Sequence, residues 1–111
     1  MLIDVYTKIP EKLLVLIKDA IDENSSRHMD LWEIVFDNGE DYLTLKEMKY
    51  YFKVLLKPEI IHETKIRFSF VFHHDYSDNN HFIKCEYASK FTECILCNFI
   101  DKVRGIQIFP Y

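Results

Sequence analysis

At 111 residues the chain is long enough to bury a core without disulfides or a structural metal, and too short for a second domain of ordinary size. An apolar fraction of 49% with 15% aromatics excludes disorder, and two glycines with three prolines leave little chain for long loops. Eighteen acidic residues against fourteen basic ones give a net charge of −4, which disfavours a nucleic-acid partner and favours a basic protein.

The start, MLIDVYTKIPEK, has no basic segment followed by an apolar stretch and a small-residue cleavage site. The longest aliphatic run, Leu13 to Ile17, is too short to cross a bilayer. With three cysteines, Cys85, Cys94 and Cys97, an odd number, we expect free thiols in a soluble cytoplasmic protein.

Residues 1 to 7 suit a short strand. A helix is expected over Pro10 to Asp22, with proline at the first helical position, Glu11 at the positive end of the dipole, and Leu13, Leu14, Ile17 and Ile21 at helical spacing. Leu31 to Phe36 and Tyr42 to Leu45 flank Asn38-Gly39, which predicts a hairpin with a type I′ turn. Thr44 with Glu47 fits a capping box, so a helix is expected to follow, burying Leu45, Met48, Phe52 and Leu55 and stopping before Pro58. Lys65 to His73 alternates with period two, Ile66, Phe68, Phe70 and Phe72 facing one way. The turn-forming run 75 to 80 then leads to a second strand over His81 to Cys85, making a second hairpin. A last helix is expected from Tyr87 to Arg104 with Gly105 as its C-cap, and the IQIFPY tail as an edge strand ended by Pro110. The fold class expected is α+β: an antiparallel sheet made from two hairpins, with three helices packed on one face and the other face open.

Three stretches invite a chemical reading. FDNGEDYLTLKEM resembles a calcium loop, but with Glu47 at the twelfth position the first falls on Phe36, which has no ligand oxygen, and the glycine position on Asp41; a hairpin turn is expected instead. His73, His74, Asp75, Asp78 and His81 are zinc-ligand types, yet alternation points His73 and His74 to opposite faces, so a polar tip is expected. Cys94 and Cys97 have CxxC spacing inside an apolar helix, which favours two buried structural thiols over a redox pair. There is no nucleophile elbow or phosphate loop, so no cofactor and no enzymatic activity are expected.

The acidic tips carry the binding expectation. Asp37, Glu40 and Asp41 with Tyr42 in one hairpin, and Asp75 and Asp78 with Tyr76 in the other, form one negative, tyrosine-bearing edge if the hairpins lie side by side. Such an edge steers a basic partner and anchors it with aromatic area.

Lysine outnumbers arginine eleven to three and alanine occurs only at Ala20 and Ala88, the usage of an AT-rich coding region. In these gross features, and in structural segments such as WEIVFDNGEDYLTLKEMKYYF, the chain resembles the small acidic immunity proteins of bacterial toxin systems, including those of contact-dependent growth inhibition. The resemblance implies a cytoplasmic protein that binds a cognate toxin, such as a nuclease, and blocks its active site. An interaction module of phage or mobile-element origin, using the open sheet face or the tail, is the alternative, and a small metal-dependent hydrolase built on His73 to His81 is a third.

Overall fold

Two-residue alternation and four-residue stripes share out this chain, and the computed structural model shows where each prevails; it describes residues 1–24, 28–47, 51, 53–72 and 81–110. Six strands form one antiparallel sheet: β1 Leu2–Tyr6, β2 Trp32–Asp37, β3 Glu40–Leu45, β4 Val54–Ile61, β5 Lys65–Phe72 and β6 Gly105–Phe109, in the order β2-β3-β4-β5-β1-β6. Two α-helices, α1 Pro10–Glu23 and α2 His81–Phe99, and two short 3₁₀ segments, Met29–Leu31 and Ile100–Lys102, complete the described elements.

The α+β class holds, with two α-helices rather than three. Both pack on the same face of the sheet. α1 buries Pro10, Leu13, Ile17 and Ile21, and ends at Asn24, whose left-handed φ of 49° lets its N–H bond the Ile21 carbonyl at 3.3 Å. α2 lays Ile83, Tyr87, Phe91 and Ile95 down at four-residue spacing, and Trp32 meets the rings of Tyr87 and Phe91 edge-on, each with centroids 5.6 Å away. From the strands, Ile3, Val5, Leu43, Leu56, Ile66 and Phe68 fill the same core.

Three expectations are overturned. Thr44 does not cap a helix: it lies in β3, and residues 54 to 61 form β4, so Leu45 and Leu55 belong to two strands and two opposite faces of the sheet. Met48 and Phe52 lie outside the described residues. Pro58 stands inside β4, paired with Phe68 of β5; the register with β3 is confined to Leu43 and Leu56, so no β3 ladder bond is lost to the missing N–H. The second correction is at His81 to Cys85, which opens α2 instead of forming a strand; the neighbours of β5 are β4 and β1. Likewise Gly105 begins β6 instead of capping a helix, while the tail is the expected edge strand, paired with β1 from Leu2–Phe109 to Tyr6–Gly105.

Where β3 and β4 diverge, a side chain fills the gap. The Tyr87 hydroxyl donates to the Val54 carbonyl at 2.8 Å and accepts from the Leu45 N–H at 3.3 Å, and Thr44 Oγ1 donates to the same carbonyl at 3.1 Å. α2 is thereby bonded into the sheet at the point where the backbone ladder opens.

Candidate functional site

The hairpin β2–β3 turns through Asn38 and Gly39 with φ of 50° and 81°, both positive as a type I′ turn requires. This makes residues 36 to 45 strand, turn and strand. Register then dictates the distribution of side chains: Phe36 lies opposite Asp41 on the helix-bearing face, and Asp37 opposite Glu40 on the other.

The described carboxylates of the tip differ in their surroundings. Asp41 reaches Lys18 of α1 at 3.3 Å, and Glu40 holds Lys57 of β4 at 3.3 Å while accepting the Tyr42 hydroxyl at 3.1 Å. Glu40 accordingly raises the Lys57 pKa, and burial, with the Glu40 hydrogen bond, raises that of Tyr42. The Asp37 side chain has no hydrogen bond or ion pair among the described residues.

Tyr42, expected as an aromatic contact, is 8% exposed, its ring packed with Val35 and Leu55 on the second face. Phe36 is the ring the tip does offer, 71% exposed on the face it shares with Asp41. Its signal was an apolar residue one position from the end of a strand that runs into a turn. Asp75, Tyr76 and Asp78 lie outside the described residues, as do His73 and His74. The strand that leads toward them, β5, ends with Phe72 paired to Val54, at the end of the sheet remote from Asn38-Gly39.

The second face of the sheet is covered by no described helix. Near its β1 side Asp4 is fully buried beneath its own partners: Arg67 Nε and Nη2 donate to its two oxygens at 2.9 and 3.0 Å, and Lys65 Nζ adds a third bond at 2.9 Å. The Arg67 fork, helped by Lys65, holds the Asp4 carboxyl below its ordinary pKa in spite of burial. Farther across, Leu55, Val35 and Tyr42 give an apolar patch, and the Tyr51 hydroxyl bonds Glu33.

The thiols divide differently from the expectation of two buried ones. Cys94 is buried, donates to Met29 Sδ at 3.2 Å, and has its pKa pushed up to about 12 by burial, whereas Cys97 is exposed. A thiol held protonated in this way is a packing group. Among the described residues no three histidine, cysteine or carboxylate side chains gather as a metal site. No described helix is long and apolar enough to cross a membrane. Compared with known protein families, with curated proteins and with solved structures, the chain matches none.

Proposed function

We propose that the chain is a protein inhibitor of the immunity kind, which docks the tip of its β2–β3 hairpin onto a basic surface of a cognate toxin in the cytoplasm and blocks its active site. The observation that supports this reading is Phe36, 71% exposed at a hairpin tip that carries Asp41 on the same face and Asp37 and Glu40 on the other. An aromatic side chain with a rigid hairpin beneath it supplies contact area at low entropic cost, and the carboxylates of the tip favour a cationic partner and speed the encounter. A nuclease is one suitable target, because the groove that holds its phosphate backbone is itself basic.

The test is co-expression with the product of the gene immediately upstream, followed by affinity measurement over a range of salt. Neither Phe36 nor Asp37 takes part in the Lys18–Asp41 or Lys57–Glu40 pair, so Phe36→Ala and Asp37→Lys remove no ion pair among the described residues. The expected result is a stoichiometric complex that weakens as salt rises, is at least tenfold weaker with Phe36→Ala, and associates more slowly with Asp37→Lys. A complex indifferent to both substitutions overturns the tip as the docking site, and the absence of any complex overturns the inhibitor reading.

A further inference from the structure

A groove of about 650 Å³ runs along the outer side of α2, between it and the β6 edge. Its walls are mainly carbon, from Met1, Ala88, Leu96, Ile108 and Pro110, and it falls in the size range of small-molecule sites. Two polar groups on its wall lack partners. Lys84 is only 8% exposed and, among the described residues, has neither an ion pair nor a hydrogen bond. The Thr92 hydroxyl, two turns farther along the helix, is buried and likewise unbonded.

The stem of Lys84 is buried along the apolar wall while its ammonium is not among the buried groups that lack a partner, so it is available to an anion in the groove. The groove is also polarised: Lys84, with the His81 imidazole three residues before it, lies at the N-terminal end of the helix, and Glu93 toward the other. Lys84 to Leu96 spans twelve helical residues, about 18 Å, which suits an extended chain better than a compact ring.

We propose that this groove binds a single-chain amphiphile with an anionic head, a medium- or long-chain carboxylate, its head at Lys84 and His81 and its tail along Ala88, Leu96 and Ile108. Glu93 repels the head from the far end, so one orientation is favoured. The site is separate from the hairpin tip, and its test is independent of the toxin.

The probes are dodecanoate, dodecanol and dodecyltrimethylammonium, each kept below its micelle concentration, with titration calorimetry as one readout and cysteine labelling as the other. Cys85 is exposed and lines the groove, while Cys97 is exposed and does not, so the two thiols report occupancy and non-specific effects separately. Saturable one-to-one binding of dodecanoate is expected, slowing maleimide labelling of Cys85 severalfold while Cys97 stays unchanged. Lys84→Met, which keeps the apolar stem, weakens dodecanoate at least tenfold and leaves dodecanol unaffected; Lys84→Gln does the same should the methionine variant misfold. Equal binding of the cationic amphiphile, no binding of dodecanoate, equal slowing at both cysteines, or an unaltered affinity in a folded Lys84 variant overturns the proposal.

Discussion

Asp4 shows how one residue can be legible in its pattern and opaque in its role. Alternation within MLIDVYT puts Ile3 and Val5 on the core face, and by the same rule Asp4 on the other, where an acidic residue is ordinarily solvated. What the sequence does not display is the register, which sets Asp4 directly opposite Arg67 and diagonally from Lys65, so that the carboxylate disappears beneath two cations. Replacing it by asparagine leaves two partly buried cations facing a neutral amide, and Asp4→Asn is expected to cost about 3 kcal/mol at neutral pH. Because the folded-state pKa is depressed, this stabilisation is complete above the unfolded pKa and is lost as pH falls through the folded one. Urea midpoints of the parent and the variant, measured from pH 7 to pH 2, should therefore differ most at neutrality and converge below about pH 4. A constant difference across that range would show that the Asp4 charge is not the source.

At the scale of elements, what could be read depended on whether a local signal agreed with the long-range pairing. The α1 start at Pro10 and the Asn38-Gly39 hairpin were legible because proline and Asn-Gly impose their φ values wherever they stand. The stretch from Thr44 to Leu55 misled because Thr-x-x-Glu and a three-four spacing imitate a capped helix, whereas Leu45 and Leu55 serve opposite faces of the sheet. The stripe of α2 was in view, since Ile83 continues the series Tyr87, Phe91 and Ile95 backwards by four, but the turn-forming run before it suggested a hairpin. The actual partner of β5 was hidden by its turn. β4 and β5 are joined by His62, Glu63 and Thr64, the first two left-handed at φ 51° and 58°, with Thr64 N–H bonded to the Ile61 carbonyl at 3.1 Å. That is the geometry of a type I′ turn without the residues that adopt it readily, and each carries a conformational cost of about 1 kcal/mol. Substituting Asn-Gly there (H62N/E63G) relieves part of this strain, both side chains being exposed. A gain of about 1 kcal/mol, seen as a rise of roughly 4 °C in the thermal midpoint, is expected; an unchanged or lower midpoint would mean that the His-Glu turn is not strained.

For the whole molecule, the decisive feature is that the two ends of the chain meet inside the sheet. β1 is the second strand from one edge, held between β5 and β6, so the first six residues find their full set of partners only when residues 105 to 109 arrive. Closing so long a loop is entropically unfavourable until both ladders are available, and folding is expected to be limited by this late, non-local step. The loop ends are fastened beyond the strands as well, with Arg104 N–H bonded to the Tyr6 carbonyl at 2.7 Å and Thr7 Oγ1 to the Lys102 carbonyl at 2.7 Å. A chain that stops after Arg104 loses the cover that Ile106 gives to Val5 and turns β1 into an edge whose ladder groups are unpaired. Since Ile3 and Val5 are fully buried in the intact sheet, that new edge is apolar and suited to pairing with another copy of itself. Removing residues 105 to 111 should therefore lower stability by about 2 kcal/mol or more and produce concentration-dependent association, read from urea unfolding and sedimentation velocity. If the shortened chain instead unfolds at the same urea concentration and sediments as a monomer, β6 is an ornament on a five-stranded fold, and the groove it shares with α2 has a wall that stability does not maintain.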